Sequence, residues 1–162
     1  MKYIYCPYCG DKLIKKEIGD EGLIPYCKKC EIPLWDTFTT SIIAAVLNEE
    51  NEIALLKQKY VSSNHHVCVA GIMKPNETAE ETVIREVKEE IGQEVKKIEY
   101  IGSYFYEKKE MLMLAFQVLV KKQELKLSKE VDFAEWIDLE KADKYLRQDS
   151  IAYKLVKKIK NR

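Results

Sequence analysis

Gly71, Glu77 and the run Arg85-Glu86-Val87-Lys88-Glu89-Glu90-Ile91-Gly92-Gln93 decide how this chain folds. Thr78-Ala79-Glu80-Glu81 has the form of a capping box, so a helix is expected to start near Ala79. Gly92 is its expected left-handed stop. At about 100° per residue, Glu86, Glu89 and Glu90 fall at about 0°, −60° and +40° around the helix axis. Val83, Ile84, Val87 and Ile91 fall between about +60° and +160° and are the expected packing stripe. Like charges four residues apart repel by about 0.2–0.5 kcal/mol, so a helix kept for stability alone avoids this pattern. A helix that binds a hard divalent cation needs it, because Mg²⁺ takes oxygen ligands. The competing reading of the same glutamates is a solvated acidic face.

Working outward, Val67-Cys68-Val69-Ala70 reads as a strand, with Cys68 as a small inert hydrophobe in the core. Gly71 is expected to turn the backbone sharply out of that strand. Pro75-Asn76 keeps the following loop from becoming helical. His65 and His66 read either as a polar strand end or as a phosphate contact. Residues 40–47 are apolar and β-branched, a buried strand. Residues 48–51 form a turn, and residues 52–57 return as the hairpin partner. Residues 95–106 and 111–120 read as two long strands, residues 134–139 as a short one, and residues 139–147 and 150–161 as helices. This order predicts a mixed α/β/α packing. Lys154, Lys157, Lys158 and Lys160 make a basic face on the final helix, solvated or in contact with nucleic acid.

Before all this stand Cys6-Pro7-Tyr8-Cys9 and Cys27-Lys28-Lys29-Cys30, two C-x2-C knuckles 17 residues apart. Between them lies an expected hairpin, residues 12–18 and 23–26, turned at residues 19–22. Four thiolates at this spacing can enclose Zn²⁺ with no open position, and the metal would supply folding energy that so small a unit lacks. The reading is a zinc ribbon over residues 1–35 and a second domain over residues 36–162. The 162 residues carry 27 basic and 27 acidic side chains, a formal net charge of zero, which gives no global pull toward nucleic acid or membrane. No run of 18 apolar residues occurs, and MKYIYCPYCG does not have the form of a signal peptide. A cytoplasmic location is expected, where cysteines read as metal ligands before disulfides.

The central stretch resembles the Nudix box, G-x5-E-x7-R-E-U-x-E-E-x-G-U, in which U is a bulky apolar residue. Every fixed position matches except the last, where Gln93 stands and Val95 is expected to do the packing. The resemblance implies the Nudix fold, an α/β/α sandwich with a mixed sheet. It also implies hydrolysis of a nucleoside diphosphate derivative with Mg²⁺ or Mn²⁺. By that resemblance Glu86 and Glu90 are direct cation ligands, Glu89 shares a cation or orients water, and the Ala70 carbonyl and Glu130 complete the set. Which glutamate acts as base stays open. Arg85 would pair with Glu77 and hold the loop against the helix; the alternative is an exposed pair with Glu81 or Glu89.

A zinc ribbon before such a box is similar to the NADH pyrophosphatase branch of this family. Met111 to Phe116, Glu130-Val131-Asp132-Phe133-Ala134-Glu135-Trp136-Ile137 and Ser150-Ile151-Ala152-Tyr153-Lys154-Leu155 carry that resemblance. The branch has S-Q-P-W-P-F-P-x-S after the first strand beyond the box. Here Ser103-Tyr104-Phe105-Tyr106-Glu107-Lys108-Lys109-Glu110-Met111 stands instead, with only the serine retained. The expected substrate contacts are therefore Ser103, Tyr104, Phe105, Tyr106 and the backbone of Ala152. Alternating aromatics are equally ordinary on a half-buried strand, and Ala152 reads equally as helix packing. The resemblance implies NAD(H) or a related nucleotide as substrate, with NAD-capped RNA as a variant, and a homodimer. The alternative function is a non-catalytic nucleotide-sensing or RNA-binding module.

Overall fold

The computed structural model describes residues 3–62 and 64–162, so the part of the ribbon expectation that concerns residues 1 and 2 lies outside them. The chain divides into two compact units between Thr39 and Thr40. The first is a three-stranded antiparallel sheet, β1 (Ile14–Glu17), β2 (Leu23–Cys27) and β3 (Ile32–Pro33). A short 3-10 turn at Gly19–Glu21 joins β1 to β2. β3 has no counterpart in the sequence expectations, since two residues are too few to show a period. The core of this unit is Cys6, Cys27 and Leu34, with Tyr3, Leu13 and Ile32 against them.

In the second unit the strands are β4 (Thr39–Leu47), β5 (Glu52–Lys57), β6 (Val69–Ile72), β7 (Val95–Tyr106), β8 (Met111–Val120) and β9 (Phe133–Asp138), with helices α1 (Ala79–Ile91) and α2 (Ile151–Lys160). The strand order is β7-β8-β4-β5-β9, and β6 pairs with β4. β4 pairs with β6 through Ser41–Ala44 but with β5 only at Leu47. Just before β6, Val67 bridges back to Leu56 of β5. Side chains alternate along a strand, so β4 divides into two rows. Ile42, Ala44 and Val46 pack with Val83, Val87 and Ile91 of α1. Ile43, Ala45 and Leu47 pack with Leu155, Val156 and Ile159 of α2. A helix on each face of one sheet is the α/β/α sandwich.

α1 opens with the capping box. Thr78 Oγ1 accepts from the Glu81 N–H at 3.2 Å, and the Glu81 carboxylate accepts from the Thr78 N–H at 2.8 Å. It closes at Gly92, whose φ is 68° and ψ 15°. Burial of three apolar anchors, each worth about 1.5–3 kcal/mol, outweighs the small like-charge repulsion along its acidic stripe. Ile84 was expected in the packing stripe but is 49% exposed. The buried face is instead rotated toward the glutamates, with Thr82 and Glu90 inside it. At the far margin of the expected stripe, Ile84 clears the sheet.

Residues 139–147 do not form the expected helix. The stretch is a series of turns with a single 3-10 turn at Ala142–Lys144, tied down because the Tyr145 carbonyl accepts from the His66 N–H at 3.0 Å. His66 itself is buried, 3.0 Å from the Glu135 carboxylate and edge-on to the Tyr145 ring. Cys68 is buried in the core, which pushes its thiol up to about 12. The lysines of α2 are not an open basic face. Lys157 and Lys160 pair with Asp143 at 3.4 Å and 3.0 Å, and Lys158 donates to the Ile101 carbonyl at 2.8 Å.

The departure at Gln93 has a structural task. Its side chain is fully buried. Its Nε2 donates to the carbonyls of Ile91 (3.3 Å) and Glu124 (3.1 Å), and its Oε1 accepts from the Gln123 N–H at 3.2 Å. Val95 also packs on the α1-side core, so an apolar plug is present without using position 93. Helix-end carbonyls that lack a partner within the helix are satisfied by the same segment: Lys126 N–H donates to Ile91 at 3.1 Å and Ser128 N–H to Glu90 at 3.3 Å. Gln93→Leu should therefore cost about 1–3 kcal/mol by leaving buried backbone groups unpaired. The check is chemical denaturation of both proteins; equal midpoints would remove Gln93 from this role.

Candidate active site

The docked segment after β8 delivers a distant carboxylate to α1. Ser128 is tied to the helix end, Val131 is buried in the α1-side core, and the Asp132 N–H donates to the Lys57 carbonyl at 2.9 Å. Glu130 lies between these anchors. Together with Glu86, Glu89, Glu90, Ser128 and Lys129 it lines a cleft of about 390 Å³. The structure thus brings together all four of the expected acidic residues.

Glu90 is 4% exposed. Gln58 Nε2 donates to its Oε1 at 2.7 Å, and the Ala70 N–H reaches its Oε2 at 3.4 Å. Burial pushes its carboxyl up to about 7; the Glu86 and Glu130 charges add to that, while the bonds from Gln58 and Ala70 resist it. Burial also raises Glu86, against the pull of Arg85. Glu89 and Glu130 are the exposed members.

Arg85 is the counter-charge. Its Nε and Nη2 grip the Glu77 carboxylate at 2.7 Å and 2.9 Å, a bidentate pair. Its Nη1 bonds Glu86 and reaches Glu89 at 3.2 Å, and Nη2 also meets the Ile72 carbonyl at 3.2 Å. The Arg85 guanidinium holds the Glu77 carboxyl down to about 2, so this link weakens only as pH falls from about 4.5 toward about 2. Glu77 also accepts from the Lys74 N–H and the Thr82 hydroxyl. The loop before α1 is thereby fastened to the helix.

Gly71 is not the turn expected of it. It sits inside β6, paired with Ile42. A Cβ there would overlap the Glu86 carboxylate. Glycine here leaves room for a side chain from the helix to lie against the strand backbone. The neighbouring Ser41, buried, donates from its hydroxyl to the Gly71 carbonyl at 2.8 Å. Gln58 and Ser41 escaped the sequence reading, since a single glutamine after a strand and a serine at a strand start carry no pattern.

The cleft walls do not include Ser103, Tyr104, Phe105, Tyr106 or Ala152. Ser103 and Phe105 are exposed, and Tyr104 and Tyr106 are half-buried. Tyr104 packs against the α2-side core, to which the buried Ala152 belongs. In the first unit, the Sγ atoms of Cys6, Cys9, Cys27 and Cys30 all lie within 4.8 Å of one another, with Cys6–Cys30 at 3.9 Å and Cys9–Cys27 at 3.5 Å. A tetrahedron with metal–sulfur bonds of about 2.3 Å has edges of about 3.8 Å. Among the described residues this is the only set of three or more such side chains that is so close; of the four cleft carboxylates, Glu86 and Glu89 are bonded to Arg85. Gly71→Ala should displace Glu86 and lower turnover at least about ten-fold, a barrier increase of about 1.4 kcal/mol, with the fold retained by circular dichroism. Unchanged turnover would show that Glu86 need not lie against β6.

Comparison with known proteins follows the same lines. A NUDIX domain model matches residues 37–159. The NAD-capped RNA hydrolase NudC of Pseudomonas aeruginosa is 28% identical over 153 residues, 94% of this chain and 54% of that protein. That of Pectobacterium carotovorum is also 28% identical over 153 residues, 94% of this chain and 57% of that protein. The chain spans about half the length of these curated relatives. Among solved structures, a NUDIX hydrolase from Nitrosomonas europaea superposes with a TM-score of 0.72 at 19% identity, covering 98% of this chain and 89% of that one. The NUDIX domain of Shewanella oneidensis NrtR, complexed with ADP ribose, does so with a TM-score of 0.65 at 16% identity, covering 85% and 93%. At such identities the structures speak for the fold, and the domain match covers all but the last three residues of the second unit: the chain belongs to the Nudix family.

Proposed function

We propose that this protein hydrolyses the diphosphate bond of a nucleoside diphosphate derivative, with NAD(H) or a related dinucleotide as the favoured substrate and NAD-capped RNA as a variant of it. The observation that carries the reading is the gathering of Glu86, Glu89, Glu90 and Glu130 on one cleft. A diphosphate brings negative charge, which four carboxylates would repel unless cations intervene. Their all-oxygen donor set suits Mg²⁺ or Mn²⁺. When bound, such ions neutralise phosphoryl oxygens and make water more acidic near neutral pH. Glu86 and Glu90 would hold them, with Glu89, Glu130 and the Ala70 carbonyl completing the shell. Gln58 and the Ala70 N–H orient Glu90. Arg85 fixes the loop through Glu77 and steadies Glu86 and Glu89.

The relatives named as NAD-capped RNA hydrolases support the choice of substrate class. The basic helix face that motivated a purely RNA-binding reading is largely consumed by internal contacts. The four-thiolate group suits a structural Zn²⁺, which leaves no open position for substrate water, and a reducing cytoplasm would preserve it. Among the described residues, no helix is long and apolar enough to cross a membrane.

The direct test is product chromatography with NADH, NAD⁺, ADP-ribose, dinucleoside polyphosphates and nucleoside triphosphates, each with Mn²⁺ or Mg²⁺. NADH should give two mononucleotides, and Glu86→Gln and Glu90→Gln should each lower turnover by at least about a hundred-fold, a barrier increase of about 2.7 kcal/mol. Turnover that survives in both variants would end the proposal. The purified protein should also carry about one Zn²⁺ per chain by elemental analysis, and a strong chelator should unfold residues of the first unit. Full protection of their amides after metal removal would argue against a structural ion.

A further inference from the structure

We propose that Lys59, Tyr60 and Lys129 form the seat for one nucleotide half of the substrate: the Tyr60 ring stacks on an aromatic base, and the two ammonium groups take the phosphate that carries it. This rests on reading the carboxylate cleft as a diphosphate hydrolase site. A second hollow of about 530 Å³, lined by Lys59, Tyr60, Lys129, Glu130 and Asp132, shares Lys129 and Glu130 with that cleft. The two therefore run into each other, and the volume falls within the range of about 300–1,000 Å³ typical of ligand sites. A diphosphate positioned at Glu86, Glu89 and Glu90 would extend one arm into this space.

Its chemistry suits a nucleotide. Tyr60 is 71% exposed and belongs to none of the hydrophobic clusters, so its ring has no packing task. Burial and the charges of Glu90, Glu130 and Glu86 push its phenol upward, which places it in the field of the carboxylates and keeps it neutral. The Lys59 side chain is 82% exposed, with Asp132 at 3.7 Å. Lys129 has no ion-pair partner among the described residues. These cations lie where the acidic cleft ends, and match a phosphate projecting from it.

The seat is anchored to the acidic cleft. Buried Gln58 bonds Glu90 with its side chain, while its carbonyl accepts from the Val61 and Ser62 N–H groups, both at 2.9 Å. The Lys59 N–H donates to Asp132 Oδ2 at 2.8 Å, two residues beyond Glu130. The turn bearing Tyr60 thus hangs between Glu90 and the Glu130 segment, so base and diphosphate would be positioned by one framework.

AMP, which has no diphosphate bond to cleave, tests the seat without turnover. By calorimetry in Mg²⁺, AMP should bind the wild-type protein. Tyr60→Ala should weaken it about ten-fold, and Tyr60→Phe should stay within about two-fold, as expected for stacking. Ribose 5-phosphate, which lacks a base, should be indifferent to Tyr60→Ala but weakened by Lys129→Ala. In turnover of NADH, Tyr60→Ala should raise KM and leave kcat nearly unchanged. Unaltered AMP binding in Tyr60→Ala, equal loss in Tyr60→Phe, or no AMP binding by the wild type would overturn the inference. Absence of hydrolysis with these binding effects intact would count against the hydrolase reading alone.

Discussion

The Glu90 carboxylate is buried where α1 meets β6, and its bonds to Gln58 and Ala70 tie together three parts of the second unit. An isolated carboxylate out of water is expensive. Gln58 and the Ala70 N–H offset part of that cost, and the remaining desolvation shows in a carboxyl raised to about 7. A neighbouring contact favours glycine at position 71, because the carboxylate one turn earlier on the helix, Glu86, lies against the strand backbone. One geometric requirement, acidic side chains turned toward the sheet, thus explains a glycine, a buried glutamine and the rotation of the helix.

Such an arrangement is poor for stability and useful for cation chemistry. Apolar anchors on α1 provide the binding energy that holds the helix in an electrostatically unfavourable pose. Arg85 offsets the repulsion with contacts to Glu77, Glu86 and Glu89, and so also locks the preceding loop. The end of the helix performs a second task. Its unpaired carbonyls, with Gln93, dock the segment that brings Glu130 into the cleft. Helix capping and site assembly are here the same set of hydrogen bonds.

Much of this was legible in the chain. The capping box at Thr78, the stop at Gly92 and the β4–β5 and β7–β8 hairpins follow from local patterns, the Arg85–Glu77 pair follows from the family resemblance, and all are present. Other expectations failed for nonlocal reasons. Gly71 looked like a turn because glycine usually marks one, yet its role is set by a side chain fifteen positions away. Ile84 matched the apolar stripe but lies at its edge. Residues 139–147 had helical character, but the bond to His66 and the packing of Leu146 hold them as turns. The β7 aromatics, readable equally as a stacking surface or as a half-buried strand, alternate between the two faces of that strand.

By itself the sequence determined most of the elements, the acidic stripe and the four-cysteine group, because periodicity, caps and ligand spacing are properties of a few consecutive residues. Tertiary structure alone decided which carboxylates are buried, which partners hold them, and that Glu130 lines both the cleft of Glu90 and the hollow of Tyr60. Those outcomes depend on strand pairing and on loops docking across dozens of residues, where burial and hydrogen-bond geometry act without leaving a local pattern.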